Sequence, residues 1–104
     1  MDRVEKTEQL NNLFEIYQEL LTEKQKKYYE LYYYEDYSLQ EIAEIFEISR
    51  NAVFDQLKKV EKHLNHYEEK LKIYNNKEQR IKYLEKYEES KDEKYLKLLR
   101  KMDE

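Results

Sequence analysis

The chain has 104 residues, a length that favours one small domain, and its 24 acidic and 20 basic residues give a net charge of −4. It has no glycine, proline or cysteine, which excludes disulfides, thiolate metal sites, cysteine nucleophiles and glycine-rich phosphate loops. Charged residues make up 42% of the chain, which is typical either of disorder or of helices with heavily charged outer faces. Regular apolar spacing favours helices.

Two helices are predicted in the N-terminal third, over residues 4–21 and 23–34. Apolar residues of the first recur at intervals of three and four, which predicts one buried stripe: Leu10, Leu13, Phe14, Tyr17, Leu20 and Leu21. Between the helices, Thr22 followed by Gln25 is typical of a capping box, in which each side chain accepts an amide hydrogen bond.

Tyrosines are concentrated in the second helix and just after it, at Tyr28, Tyr29, Tyr32, Tyr33, Tyr34 and Tyr37. One interpretation is that exposed rings stack unpaired RNA bases, with lysines 24, 26 and 27 beside them. The other is that some rings fill the core and others cover it with hydroxyls in water. The helical spacing of Tyr28, Leu31 and Tyr32 favours the second interpretation.

The next two predicted helices, residues 39–46 and 50–74, are joined by a very short turn. Ser38 with Glu41 forms a second capping box, and Ser49 is the expected N-cap of the long helix. The apolar spacing is typical of a helix-turn-helix core built from Ile42, Ala43, Phe46, Ile48, Val53 and Leu57. This motif places its second helix in a major groove of DNA.

Eight side chains are therefore the candidate nucleic-acid contacts: Gln40, Ser49, Arg50, Asn51, Phe54, Asp55, Lys58 and Lys59. Arg50 suits a phosphate or a guanine edge, and Asn51 suits an adenine edge. Because few cations lie here in an acidic chain, a monomer is expected to bind duplex DNA weakly.

The long helix also predicts a homodimer. Its apolar residues continue beyond the motif with alternating four- and three-residue spacing, which indicates a coiled-coil seam: Val60, Leu64, Tyr67, Leu71 and Tyr74. A helix of about 25 residues spans roughly 37 Å, longer than a compact domain of this size needs. We therefore expect the distal half of the helix to pair with a second copy.

Asn75 and Asn76 are the expected break after the long helix, which divides the chain into a helix-turn-helix domain at 1–74 and an extension at 75–104. Asn76 is the expected cap of a helix over residues 77–89. Ser90 with Glu93 predicts a further capping box, which opens a last helix over residues 91–102. The fold class is thus all-α, with six helices, and the extension is expected to pack on the same domain.

No enzymatic site is expected. His63 and His66 lack a carboxylate at the spacing that would build a metal site with them, and the serines are explained as helix caps. We therefore predict no catalytic residue, no metal and no cofactor. No signal-peptide core or membrane span is recognisable, so the expected location is the cytoplasm.

Residues 37–59 resemble the helix-turn-helix of region 4 of bacterial sigma factors, on the sequence YSLQEIAEIFEISRNAVFDQLKK. A wider stretch, residues 13–71, resembles the YlxM-like family of small helix-turn-helix proteins. Its diagnostic segments are LLTEKQ at 20–25, LYYYEDYSLQEIAE at 31–44 and ISRNAVFDQLKKVE at 48–61. This resemblance implies an all-α fold and dimers. The turn position usually given to glycine is Glu47, which costs about 1 kcal/mol if its backbone is left-handed.

Genes of that family usually lie beside those for the signal recognition particle GTPase and its receptor, which implies a regulatory role in protein targeting. The first functional hypothesis is therefore a DNA-binding regulatory protein linked to that pathway. The alternative is a protein-interaction module, with the helix-turn-helix as a scaffold. Its acidic N-terminal half would then dock a basic partner, such as the GTPase of the signal recognition particle or its RNA-bound form. The RNA of the particle is the other possible target of such a module.

Overall fold

The computed structural model describes residues 3–104, so residues 1 and 2, which the predicted first domain includes, lie outside the described part. All regular elements in that part are helical, which confirms the all-α class. They are α1 (Arg3–Tyr17), α2 (Glu23–Tyr29), α3 (Leu39–Phe46), α4 (Arg50–Leu71), α5 (Ile73–Ser90) and α6 (Lys94–Met102). The chain divides into two compact units, Met1–Lys70 and Leu71–Glu104.

Helix α1 ends in a 3-10 turn, Gln18–Leu20, before α2 begins. A 3-10 turn has three residues per turn and therefore rotates the following side chains away from an α-helical stripe. Leu20 is consequently 53% exposed, contrary to its predicted place in the stripe, whereas Leu21 is buried. The capping box of Thr22 and Gln25 is confirmed, with both reciprocal hydrogen bonds present.

A π-helical turn, Glu30–Tyr34, directly continues α2, so the predicted helix over 23–34 is not uniformly α-helical. The amide of Glu35 donates to the carbonyl of Glu30 at 2.9 Å. Asp36 then adopts a left-handed conformation with φ of 59°. The amide of Tyr37 closes this turn by donating to the carbonyl of Leu31 at 2.9 Å.

Tyrosine rings form much of the core of the first unit, as the helical spacing favoured. Tyr28 and Tyr29 are fully buried. The ring of Tyr29 stacks on Phe14 with centroids 4.2 Å apart, and its hydroxyl donates to Oδ1 of Asn11 at 2.5 Å. These rings thus bury their faces while their polar tips keep hydrogen-bond partners.

Helices α3 and α4 pack as the predicted helix-turn-helix. Its core cluster also includes Tyr28 and Leu31 from the preceding segment, and its other buried members are Ile42, Ala43, Val53 and Leu57. Phe46 and Ile48 are partly buried against the cluster. The predicted burial of Ala43 and Val53 is confirmed, at 3% and 0% exposure.

The turn between these helices is closed at Glu47, whose backbone is left-handed with φ of 57° and ψ of 45°. The amide of Ile48 donates to the carbonyl of Ala43 at 3.1 Å, as in a Schellman motif. On either side, Ser38 and Glu41 form the expected capping box. The hydroxyl of Ser49 accepts from the amide of Ala52 at 3.0 Å, which confirms it as the N-cap of α4.

Helix α4 ends at Leu71, earlier than predicted, because Lys72 adopts a left-handed conformation with φ of 54°. The predicted break at Asn75 and Asn76 is therefore wrong, since both asparagines lie in the first turns of α5. The amide of Asn76 donates to the carbonyl of Lys72 at 2.9 Å, so Asn76 continues α5 and does not cap a helix.

The second unit is a pair of helices, α5 and α6, that contact each other. Lys91 ends α5 in a left-handed conformation, and its amide donates to the carbonyl of Tyr87 at 2.7 Å. The capping box predicted for Ser90 and Glu93 is wrong, because the Ser90 hydroxyl donates back to the carbonyl of Lys86 at 2.8 Å. Residues 71–104 include no buried side chain, and several large apolar residues there remain exposed: Leu71, Ile73, Ile81, Leu84, Leu96 and Leu98.

Candidate nucleic-acid interface

The first turns of α4 lie on the surface of the first unit. Val53 and Leu57 anchor one side of this helix in the core. The opposite side of the helix consequently faces solvent, as the helix-turn-helix interpretation requires. Those left exposed are Ser49, Arg50, Asn51, Phe54, Asp55, Lys58 and Lys59.

These exposed residues fall on two adjacent edges of α4, because side chains four positions apart lie nearly above one another on a helix. One edge carries Arg50, Phe54 and Lys58, and it borders a cleft. The other edge carries Asn51, Asp55 and Lys59, which do not line the cleft. The eighth predicted contact, Gln40, is exposed on α3 and donates to Oε1 of Glu44 at 3.4 Å. The structure therefore spreads the predicted contacts over more than one surface.

The cleft has a volume of about 680 Å³ and lies within the first unit. Its walls come from the start of α1, the π turn and its exit, the start of α3, and α4. It is lined by Arg3, Lys6, Thr7, Tyr32, Tyr33, Asp36, Tyr37, Ser38, Leu39, Glu41, Arg50, Phe54, Leu57, Lys58 and Glu61.

A hydrogen-bonded group of side chains crosses one wall of the cleft. Tyr33 donates its hydroxyl proton to Oε1 of Glu61, and Nζ of Lys58 lies 3.4 Å from the other carboxylate oxygen. The same ammonium lies 5.3 Å from the ring centroid of Phe54. Burial, and then the hydrogen bond to Glu61, raise the pKa of the Tyr33 phenol. Tyr33 is consequently a neutral hydrogen-bond donor at physiological pH.

The remaining cations of the cleft are Arg3, Lys6 and Arg50. Among residues 3–104, no carboxylate lies within ion-pair distance of any of them. Glu41, by contrast, is engaged in its capping box, where the Ser38 amide and hydroxyl lower the pKa of its carboxyl group. The cleft is thus lined by four basic and three acidic side chains, of which Lys58 and Glu61 pair with each other. The first unit as a whole carries 10 basic and 16 acidic residues.

The predicted dimer seam is only partly on the surface. Val60 and Leu64 are fully buried within the single chain, which contradicts their assignment to a seam with a second copy. Tyr67 is half-buried and donates its hydroxyl proton to the carbonyl of Leu20 at 3.3 Å. Leu71 is exposed, and Tyr74 belongs to α5. The apolar repeat of α4 is thus used largely for folding of the chain itself.

The histidines of α4 lie beside an aromatic ring: the centroids of His63 and His66 are 6.1 Å and 6.4 Å from that of Tyr67. Within residues 3–104, no group of three histidine or acidic side chains is arranged to hold a metal ion. No helix in the same range is both long and apolar enough to cross a bilayer.

Comparison with known proteins places the motif in a family. A family model described as "Putative helix-turn-helix protein, YlxM / p13 like" matches residues 4–103. The chain belongs to this UPF0122 family. A UPF0122 protein of Oceanobacillus iheyensis is 57% identical over 83 residues, covering 80% of this chain and 79% of the relative.

Two further UPF0122 relatives are similarly close. One from Lactococcus lactis subsp. cremoris is 59% identical over 73 residues, which are 70% of this chain and 66% of the relative. One from Listeria innocua is 52% identical over 84 residues, which are 81% of this chain and 76% of the relative. The resemblance to the YlxM-like family is therefore confirmed.

Sequence reasoning missed part of the cleft. Arg3 and Lys6 belong to no motif, and the sequence suggests only a core or RNA-stacking role for Tyr33 and Tyr37. They share a cleft with Arg50 only because the start of α1, the π turn and α4 come together in the tertiary fold. Local periodicity holds no signal for such packing.

Proposed function

We propose that this UPF0122 protein is a non-enzymatic, cytoplasmic regulatory protein that binds duplex DNA through the exposed edges of α4. The observation that carries the proposal is the packed crossing of α3 and α4, in which Ala43 and Val53 are buried. This crossing leaves Arg50 and Asn51 exposed at the start of the second helix. A rigid helix pair with this exposure suits insertion into a major groove.

Base recognition in this proposal comes from four side chains of α4. Arg50 reaches a guanine edge or a phosphate, and Asn51 reaches an adenine edge. Asp55 accepts from the amino group of cytosine, and Phe54 packs on a thymine methyl group. Asp55 also repels the phosphates, so it contributes to specificity and lowers non-specific affinity.

Backbone contacts come from the remaining four residues. Ser49 and the first amides of α4 hold a phosphate at the helix N-terminus. Lys59 tracks the phosphate backbone, and Gln40 reaches the flanking phosphates. Lys58 contributes less than its charge suggests, because Glu61 already neutralises much of it.

With so few cations, useful affinity for duplex DNA requires two copies of the chain. The buried positions of Val60 and Leu64 remove α4 as the main contact. Exposed apolar residues of the second unit, including Ile81, Leu84 and Leu98, support a homodimer through α5 and α6 instead. Sedimentation equilibrium tests this part, because a monomer at high micromolar concentration would contradict it.

Fluorescence anisotropy against genomic duplex fragments tests the DNA-binding proposal. Arg50→Ala should weaken binding by about 1–3 kcal/mol at one base position if Arg50 reads a base. Lys24→Ala is the matched control, since it removes one positive charge from an exposed position on α2. Absence of binding even at low salt, where phosphate contacts are strongest, would refute the proposal.

The acidic first unit supports a second candidate function, a module that docks a basic component of the signal recognition particle. Its 16 acidic and 10 basic residues favour a positively charged partner, such as a basic surface of the particle's GTPase. Pull-down with the purified GTPase, with and without nuclease treatment, separates a protein target from an RNA target. Partner binding that survives Arg50→Ala would favour this candidate over DNA binding.

A further inference from the structure

We propose that the cleft of the first unit is a nucleotide-binding site, which takes one unpaired base on its aromatic side and the attached phosphate on its cationic side. This inference goes beyond duplex recognition, because most of the residues that it requires lie outside the predicted DNA contacts. Arg3, Lys6 and Tyr37 line the cleft, whereas Asn51 and Lys59 do not.

The phosphate would lie against Arg3, Lys6 and Arg50. No carboxylate of residues 3–104 pairs with these cations, so their charges are available to a ligand. Guanidinium groups match phosphate geometry through two parallel hydrogen bonds. These three cations favour an anionic ligand, and the carboxylates that oppose it in the cleft are Asp36, Glu41 and the Lys58-paired Glu61.

The base would lie against the exposed aromatic rings. Phe54 is 47% exposed and lies between Arg50 and Lys58 on the same edge of α4. Tyr37, which also lines the cleft, is 36% exposed. Aromatic rings next to cations stack nucleobases without requiring a particular base. The neutral hydroxyl of Tyr33 and the carboxylate of Glu61 supply polar groups at the base edge.

The size of the cleft favours a single nucleotide over a longer ligand. Its volume of about 680 Å³ lies within the roughly 300–1,000 Å³ of small-molecule sites. A duplex in a major-groove complex would contact both edges of α4, but only its contacts at Asn51, Asp55 and Lys59 lie outside the cleft. Arg50, Phe54 and Lys58 can therefore contact either ligand, whereas Arg3, Lys6 and Tyr37 serve the nucleotide alone.

Isothermal titration calorimetry on the full chain tests the site, with guanosine and adenosine 5′-monophosphates as probes. We expect binding of the nucleotides, and at least tenfold weaker binding of the nucleosides and of ribose 5-phosphate. The double variant Arg3→Gln, Lys6→Gln should lose about tenfold or more in affinity, because each charged contact is worth that order. Its control is Lys24→Gln, Lys27→Gln, which changes the charge equally on exposed positions outside the cleft.

Stacking is tested separately with Phe54→Ala. We expect a loss of about fivefold or more in nucleotide affinity, the order found when a stacking ring is removed. Ile45→Ala is the matched control, because Ile45 is a 51% exposed apolar residue that does not line the cleft. Equal effects of both variants, or equal effects of the two charge pairs, would overturn the proposal even if some binding occurs.

A short unpaired oligoribonucleotide and a DNA duplex serve as the other probes. Similar affinities for mononucleotide and oligomer would identify a site for free nucleotides, and much tighter binding of the oligomer would identify a single strand as the source. If neither the mononucleotides nor the oligoribonucleotide bind, the nucleotide site is overturned. Duplex binding that is weakened by Asn51→Ala but not by the Arg3 and Lys6 variant would still support the DNA-binding function, so the two proposals fail independently.

Discussion

Replacing Glu47 by glycine should stabilise the protein, because this residue is held in a left-handed conformation at the turn of the helix-turn-helix. That conformation costs a residue with a Cβ atom about 1–2 kcal/mol. Glycine removes this cost, but its greater freedom in the unfolded chain offsets roughly 0.5–1 kcal/mol. Since the Glu47 side chain is exposed, its loss sacrifices no burial. The expected net increase in the free energy of unfolding is therefore up to about 1.5 kcal/mol, centred on ~0.75 kcal/mol.

Urea unfolding followed by helical circular dichroism measures this change. Glu44→Gly is the control, because it makes the same chemical change at an exposed position inside α3. That variant should lose roughly 0.5–1 kcal/mol, since glycine disfavours a helix interior. The reasoning would be refuted if Glu47→Gly lowered the free energy of unfolding, or if both glycine variants shifted it alike.

Three further predictions concern the core, the tyrosines and base selection. Ala43→Leu should lower stability by about 1–3 kcal/mol, because the buried crossing has no room for a larger side chain; a thermal melt equal to that of the wild type would contradict the packing described. Burial raises the pKa of Tyr29 and of Tyr33 above the ordinary value of 10.0, so the folded state holds protons that the unfolded state releases. The contribution of these tyrosines to the free energy of unfolding should therefore be fully present below about pH 10 and decrease as the pH rises further. In urea titrations at increasing pH, Tyr29→Phe should lose less stability than the wild type. Asp55→Asn should tighten non-specific duplex binding and reduce discrimination between sequences in anisotropy titrations; unchanged binding would exclude Asp55 from the interface.

Features encoded by neighbouring residues were predictable from the sequence. The caps at Thr22, Ser38 and Ser49 depend on side chains that reach amides three positions away, and all three are present. The capping box that the similar pattern at Ser90 predicts is absent, because a serine hydroxyl can also donate to a carbonyl four residues earlier in a helix. The end of α4 at Lys72 gave no recognisable signal, since lysine is an ordinary helix residue.

Features that depend on distant parts of the chain were less predictable. The spacing of Val60 and Leu64 correctly indicates a buried face, but periodicity does not say whether the covering surface belongs to the same chain or to a second one. The same limit applies to the candidate site. The exposure of Arg50 follows from the motif, whereas the place of Arg3 in the same cleft depends on tertiary packing.

The π-helical turn at Glu30–Tyr34 fixes the number of residues that the chain needs between α2 and α3. A π turn bonds residues five apart, so it holds one residue more than the α-helical turn that it replaces. Deleting that residue would rotate everything on one side of it by about 100° relative to the other. Tyr28 and Tyr29 could then no longer face the core while the Tyr33 hydroxyl reaches Glu61. Chimeras of UPF0122 proteins that join α1 and α2 of one member to α3 and α4 of another must therefore preserve the residue count across this turn.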